Sequence, residues 1–126
     1  MAESLAGRKL VQVALTCRDI DRARTFYRDT LGLTLLFEAG AMLFFDCGGQ
    51  RLMIGLTEQK DQPIGGSYLY FDAPDILELG PALAAKGVEF LGEAETVQKT
   101  EAGELKLQFF KDPDGNALAL MGTVKS

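Results

Sequence analysis

Residues 13–33 have the sequence VALTCRDIDRARTFYRDTLGL, and this stretch predicts a strand followed by a helix. Apolar and polar residues alternate over 10–17, as they do in a half-buried strand. Asp19 is placed as a helix N-cap, and Gly32 is a typical helix stop. Between them, the side chains at helical spacing that should face the core are Ile20, Ala23, Phe26, Tyr27 and Thr30.

The same strand–helix pattern returns later in the chain. A strand is predicted over 67–73, and it is followed by a second cap candidate and a second glycine stop. Asp19 and Asp75 differ by 56 positions, and Gly32 and Gly87 differ by 55. Such self-similarity indicates a duplicated module. Coincidence between two strand–helix stretches stays open as the alternative.

Three further strands are expected after each helix. They are predicted over 33–38, 41–46 and 51–56 in the first half, and within 87–93, 104–110 and 117–122 in the second half. Gly49 and Gly115 differ by 66 positions, so the second half holds about ten extra residues. We expect these residues to bulge out as a loop around 92–102.

A chain of 126 residues fits a single domain built from two such modules. Module one is expected at about 8–56 and module two at about 67–122, with 57–66 as a polar linker. A module of this size is marginally stable alone, so the two sheets should share a common core. The predicted fold class is α+β, with each module ordered strand, helix, strand, strand, strand.

Composition excludes several classes of protein. The net charge is −5 and no basic residues cluster, which argues against a nucleic-acid partner. The chain has no histidine, so Ser-His-Asp triads and His-rich zinc sites are excluded. No apolar run reaches the ~20 residues of a membrane helix, and no secretory signal is visible. Cys17 and Cys47 are expected to be reduced thiols in a cytoplasmic protein.

Two motifs resemble the vicinal-oxygen-chelate superfamily, which includes glyoxalases, bleomycin-resistance proteins and dioxygenases. The first is the stretch over 13–33, and the second is FFKDPDGNALALMG at 109–122. The similarity spans about residues 10–122. It implies two βαβββ modules that form a curved eight-stranded mixed sheet around a cavity, often in a homodimer.

The superfamily's four metal-ligand positions fall on residues that do not suit a cation. By resemblance these positions are Gln12, Met53, Tyr68 and Ala119. Alanine has no ligand atom, a thioether is too soft for hard metals, and a protonated tyrosine is a poor ligand. We therefore expect neither a metal nor another cofactor.

Strand parity predicts which residues line the cavity. The proposed ligand-binding residues are Gln12, Arg51, Met53, Tyr68, Tyr70 and Ala119. Apolar bulk with a few polar groups resembles the lining of a small-molecule pocket. The tyrosines and Gln12 could instead be structural. Arg51 could be a solvated turn residue or an anchor for an anion.

Two functions follow from this reading of the cavity. The first is a metal-independent small-molecule-binding protein of the glyoxalase/bleomycin-resistance type. The alternative is a metal-free enzyme, such as a lyase or isomerase, that uses Tyr68, Tyr70 or Asp72 for proton transfer. We prefer binding, because no activated nucleophile or base is evident in the sequence. The ligand itself is not identified.

Three local features complete the expectations. Pro81 beside Gly80 predicts a break or kink in the second helix. Asp112 and Asp114 are expected to form a turn in KDPDGN, where Pro113 fixes φ and Gly115 permits a positive φ. The acidic stretch 93–104 is expected to be a solvated excursion or a lid over the cavity mouth.

Overall fold

The structure is a computed structural model, and it describes residues 6–8, 10–57 and 67–125. Within them, module one contains β1 Gln12–Cys17, α1 Ile20–Arg24, a π-helical continuation Thr25–Thr30, β2 Thr34–Ala39, β3 Met42–Cys47 and β4 Gln50–Leu56. Module two contains β5 Tyr68–Asp72, α2 Ile76–Ala85, β6 Glu95–Thr100, β7 Gly103–Lys111 and β8 Ala117–Val124. Apart from Thr57, the predicted linker lies outside the described residues.

The strands form two four-stranded mixed sheets with the same topology. Their orders are β1-β4-β3-β2 and β5-β8-β7-β6. In each sheet the first and last strands of the module pair in parallel, and the other pairs are antiparallel. This confirms the predicted α+β fold of two βαβββ modules. The eight strands are divided between two sheets, which together line a cavity.

A shared irregularity supports duplication over coincidence. The β2–β3 register shifts between Leu35 and Phe37, and the β6–β7 register shifts between Thr96 and Gln98. Thr96 and Gln98 each lie 61 positions after their counterparts Leu35 and Phe37, so the two β-bulges occupy equivalent places in the modules. Independent αβ stretches would not be expected to share such a bulge, because bulges are specific features of a strand pair.

The first helix contains one residue more than the second. Its last six residues are π-helical, and Leu31 donates its backbone N–H to the carbonyl of Phe26 at 2.8 Å. A π-helical turn is how a helix accommodates one inserted residue. The insertion explains why the offset between modules falls from 56 at Asp19 to 55 at Gly32.

The prediction of a loop over 92–102 was wrong. Residues Glu95–Thr100 form β6, the edge strand of the second sheet, which is a hairpin partner of β7. The side chains of an edge strand are largely exposed, so its polar composition resembled a loop. The same finding replaces the solvated excursion or lid expected over 93–104. The strand predicted within 87–93 is reduced to a single bridge between Phe90 and Phe110.

The predicted break in the second helix was also wrong, because α2 runs without interruption from Ile76 to Ala85. Pro81 has no N–H to donate to the carbonyl of Leu77. Both residues are exposed, so water can donate a hydrogen bond to that carbonyl instead. Gly80 is buried against Gln108, and a Cβ at Gly80 would overlap the amide oxygen of that side chain. Close packing against the sheet therefore outweighs the low helix propensity of both residues.

One apolar cluster joins the two modules. It includes Tyr27, Phe45 and Ile54 from the first module and Leu83 and Phe110 from the second. Cys17 is fully buried in the same cluster, as expected for a core cysteine. The common core predicted from the module size is thus present. No helix in the described residues is long and apolar enough to cross a bilayer.

Candidate functional site

The turn at 112–116 attaches module two to module one. Asp112 organises it, because Oδ1 accepts the backbone N–H groups of Asp114 at 2.9 Å and Asn116 at 2.8 Å. Its Oδ2 accepts the phenol of Tyr27 at 2.7 Å. Asn116 donates through Nδ2 to the carbonyl of Thr16 at 2.9 Å. The predicted turn is confirmed, and its docking onto module one is an addition that local sequence did not reveal.

Burial keeps the phenol of Tyr27 and the thiol of Cys17 neutral at this attachment. Desolvation first, and the charge of Asp112 second, raise the pKa of Tyr27 far above its usual range. Burial and the charge of Asp114 raise the pKa of the Cys17 thiol to about 11. A protonated thiol is a poor nucleophile. This attachment is therefore a structural contact between modules, not a reactive centre.

A groove of about 810 Å³ lies at the equivalent turn of module one, residues 46–50. One wall comes from that turn and from Arg51, and the other comes from β5. The polar and aromatic side chains that line it include Asp46, Arg51, Tyr68, Tyr70 and Asp72. Its volume is within the range of ligand sites for small organic molecules.

The groove brings together three of the six residues predicted to bind a ligand. Arg51 belongs to its first wall, while Tyr68 and Tyr70 belong to its second. The two tyrosines are 60% and 50% exposed, so their rings are available to a bound molecule. Both rings meet Phe109 edge-on, at centroid distances of 6.0 and 6.2 Å.

Gln12 and Met53 lie beside Arg51 on the same face of the first sheet. Arg51 donates through Nε to Oε1 of Gln12 at 3.0 Å. Gln12 Nε2 lies 4.0 Å from the sulfur of Met53. The guanidinium of Arg51 also lies 5.5 Å from the ring centroid of Phe44, close enough for a cation–π contact. These contacts hold the arginine in place, so Gln12 and Met53 position Arg51 rather than line the groove.

Ala119 lies deeper than the other predicted ligand-binding residues. Ala119 is fully buried, because its register partners Tyr70 and Phe109 flank it on β5 and β7. Its small side chain leaves space for the neighbouring rings. Gln12 contacts Arg51, and Tyr68 contacts Phe109.

The donor set at the four metal-ligand positions does not fit a divalent cation. Gln12 is hydrogen-bonded to Arg51, Met53 offers a thioether, Tyr68 a phenol and Ala119 no ligand atom. Across the described parts of the chain, no three Cys, Asp or Glu side chains converge in a way that could hold a metal.

A family model places these observations among known proteins. The model for the Glyoxalase/Bleomycin resistance protein/Dioxygenase superfamily matches residues 9–120. No curated protein matches the chain by sequence.

Solved structures share the fold at low identity. A lactoylglutathione lyase from Agrobacterium tumefaciens has a TM-score of 0.76 and 21% identity, covering 93% of this chain and 95% of its own. A superfamily member from Sphaerobacter thermophilus has a TM-score of 0.74 and 24% identity, covering 90% and 96%. One from Nocardioides has a TM-score of 0.77 and 16% identity, covering 97% and 87%. At these identities the likeness shows the fold alone.

Proposed function

The chain belongs to the Glyoxalase/Bleomycin resistance protein/Dioxygenase superfamily, and from that premise we propose that it is a metal-independent small-molecule-binding protein. The observation that carries the proposal is the groove of about 810 Å³ between the two sheets. It gathers Arg51, Tyr68 and Tyr70 around one space large enough for a small organic ligand.

The chemistry of the groove suits a planar molecule with polar substituents. Exposed rings of Tyr68 and Tyr70 provide flat apolar surface on one wall. Arg51 provides a fixed cation on the other, held by Gln12. Ligand sites are usually lined by apolar side chains with a few polar groups among them.

Binding is favoured over catalysis because the groups that could react are not activated. A metal-free enzyme using Tyr68, Tyr70 or Asp72 for proton transfer would require a desolvated base, and Asp72 is exposed. Cys17 and Tyr27 are buried, and their raised pKa values keep both protonated. The residues at the four metal-ligand positions do not suit a metal ion that would act as a Lewis acid.

We further propose that the protein is a cytoplasmic homodimer. Superfamily resemblance supports the dimer. Leu36 and Val97, the bulged residues of the two edge strands, add to it because both are apolar and exposed. Two free cysteines, Cys17 and Cys47, are consistent with a reducing compartment.

Screening a fragment library of aromatic and carboxylate compounds by ¹H–¹⁵N NMR tests the binding proposal. Shifts are expected to cluster around Arg51, Tyr68 and Tyr70, and Arg51→Met or Tyr70→Ala should weaken the hits at least about fivefold. Lys86→Met, which removes an exposed cation at the end of α2, is the matched control and should leave them unchanged. Hits that map elsewhere, or none at millimolar concentrations, would reject the groove as the site.

Tyr68→Phe and Gln12→Leu separate a ligand role from a structural one. Tyr68 is largely exposed, so Tyr68→Phe should change the free energy of unfolding by less than about 1 kcal/mol. Gln12→Leu should weaken binding of anionic hits, because Arg51 loses the acceptor that holds it. If both variants lose several kcal/mol of stability and bind as the wild type does, the two residues are structural.

A further inference from the structure

Asp46 and Arg51 carry opposite charges at directly opposed positions of β3 and β4. Residues opposed in an antiparallel pair point to the same face of the sheet, with Cβ atoms about 4.5–5.5 Å apart, and opposite charges there usually pair. Neither of these side chains, however, takes part in an ion pair among the described residues. Both line the groove, so two adjacent charges of opposite sign face it without pairing with each other.

Each of the two side chains is held by a contact that leaves part of its charged group free. Arg51 donates through Nε to Oε1 of Gln12 at 3.0 Å, and its guanidinium lies 5.5 Å from the ring centroid of Phe44. Asp46 accepts the backbone N–H of Gly49 through Oδ1 at 3.1 Å. Within the described parts of the chain, Nη1 and Nη2 of Arg51 and Oδ2 of Asp46 have no hydrogen-bond partner. The groove therefore offers two donor nitrogens and one acceptor oxygen on neighbouring side chains.

The duplicated fold shows that the sheet does not need this charged pair. At the same place in module two, where β7 pairs with β8 beside the turn, Lys111 lies opposite Ala117. The two sheets have the same strand order, so the pairing forms with or without opposite charges at this position. The combination of Asp46 and Arg51 is therefore particular to the groove of module one.

An aromatic surface lies on the other wall of the groove. Tyr68 and Tyr70 on β5 are 60% and 50% exposed, and Phe109 supports both rings edge-on. Asp72 follows on the same strand, and its register partner is the uncharged Met121. The groove thus combines a pair of opposite charges on one wall with flat apolar surface on the other.

We propose that the groove binds free α-amino acids with an aromatic side chain. The carboxylate accepts from Nη1 and Nη2 of Arg51, the ammonium donates to Oδ2 of Asp46, and the ring lies against Tyr68 and Tyr70. This inference rests on the proposed function, because it names the ligand class of the same groove. An α-amino acid carries both charges on one carbon, so it matches two neighbouring side chains of opposite sign. A carboxylate also accepts two parallel hydrogen bonds from a guanidinium, which is a strong and directional contact.

Three compounds that differ only in the charged head group test each contact separately. L-Tryptophan has both charges, indole-3-propionate lacks the ammonium, and tryptamine lacks the carboxylate. Each is titrated into the full chain by calorimetry, and ¹H–¹⁵N NMR shifts locate it. We expect L-tryptophan to bind at least about fivefold tighter than either of the others, because each of these lacks one charge-assisted contact.

Substitution of either charged residue should remove one preference and retain the other. In Asp46→Asn, L-tryptophan should bind at most about twofold tighter than indole-3-propionate, while its advantage over tryptamine persists. In Arg51→Gln the advantage over tryptamine should fall to about twofold and the advantage over indole-3-propionate should persist. Asp75→Asn and Lys86→Gln remove the same charges outside the groove, so both preferences should be unchanged.

The outcomes separate this proposal from the proposed function. If indole-3-propionate or tryptamine binds in the groove as tightly as L-tryptophan, the groove takes anions or cations respectively; the amino-acid class is then overturned and the binding function stands. Preferences that persist in both Asp46→Asn and Arg51→Gln would also overturn it, as would an ammonium preference that is lost only in Asp72→Asn. If none of the three compounds shifts resonances of the groove, the amino-acid class is wrong, and a fragment screen that is also blank overturns the proposed function.

Discussion

The phenol oxygen of Tyr27 lies 2.7 Å from Oδ2 of Asp112, although 85 residues separate them in the chain. The pair is buried, and it joins the π-helical end of the first helix to the turn before the last strand. Asn116 adds a second link from that turn to the carbonyl of Thr16. The relative placement of the two sheets, and with it the width of the groove, depends on these contacts.

We expect Tyr27→Phe to destabilise the fold by about 1.5–3 kcal/mol, because the variant leaves a buried carboxylate oxygen with one donor fewer. Urea unfolding followed by circular dichroism would measure the loss. Tyr70→Phe is the matched control: its ring is half exposed, so the change should stay within about 0.5 kcal/mol. Equal stability of the two variants would show that the hydroxyl of Tyr27 does not stabilise the module contact.

Stability should fall at alkaline pH because two buried groups resist ionisation. The pKa of Cys17 rises from its usual 9.0 to about 11 on folding, and that of Tyr27 is raised as well. A raised pKa stabilises the fold fully below the unfolded value and loses this contribution as pH rises towards the folded value. For Cys17 the expected window is therefore about pH 9–11. Chemical unfolding across that range should show a shallower decline in Cys17→Ala, and an unchanged slope would contradict this assignment.

Gly122 is expected to tolerate no side chain. A Cβ there would overlap the carbonyl oxygen of Ala73, which is held in place because the Ala73 N–H donates to Met121 at 2.8 Å. Gly122→Ala should therefore cost more than about 3 kcal/mol or prevent folding. Gly55→Ala is the control, since its Cβ would meet only ordinary contacts, the nearest being Met53 at 3.7 Å. A mild effect at Gly122 would mean that the end of β8 can move away from β5.

The protein should purify without stoichiometric metal. The reason is the donor set at the metal-ligand positions, where Ala119 offers no ligand atom and Gln12 is bonded to Arg51. Elemental analysis after mild purification would measure the metal content. In addition, zinc, manganese or nickel in excess should leave the melting temperature unchanged, because a ligand that binds the native state raises it. One transition metal ion per chain retained through dialysis would contradict the prediction.

A homodimer is expected in solution at micromolar concentrations. Sedimentation velocity would measure its mass, and a monomer at high micromolar concentration would reject the prediction. Leu36→Asp should weaken the dimer if the bulged edge contributes to the contact. Leu77→Asp, at an exposed leucine on α2, is the matched control and should leave the association unchanged.

Local pattern was sufficient to predict the faces of the strands. Alternation along 12–17 and 68–72 assigned Gln12 and Tyr68 to faces that the parallel registers with Arg51 and Ala117 confirm. The cap at Asp19 is also present, since its carboxylate accepts the N–H of Arg22 at 3.0 Å. Such features depend on neighbours in sequence or on simple periodicity.

Features that depend on packing between elements could not be predicted from local sequence pattern. The depth of Ala119 is set by rings on two neighbouring strands, and the continuity of α2 through Pro81 is set by its contact with the sheet. The hydrogen bond between Tyr27 and Asp112 joins residues from two modules, so neither local motif contained it. The sequence did contain one indication that the first helix differs from the second. The offset between equivalent residues of the two modules falls by one within this helix, which contains Tyr27.

The Tyr27–Asp112 contact also has a consequence for the order of folding during synthesis. Module one closes its sheet when β4 pairs with β1, which requires only residues up to Leu56. Until the ribosome has added the turn at 112–116, the phenol of Tyr27 has no carboxylate to bind. At ~5–20 residues per second the interval between Leu56 and Asp112 lasts several seconds. During that time the surface of module one around Tyr27 is not yet covered by module two. A chaperone or a second nascent chain has the opportunity to bind that surface first.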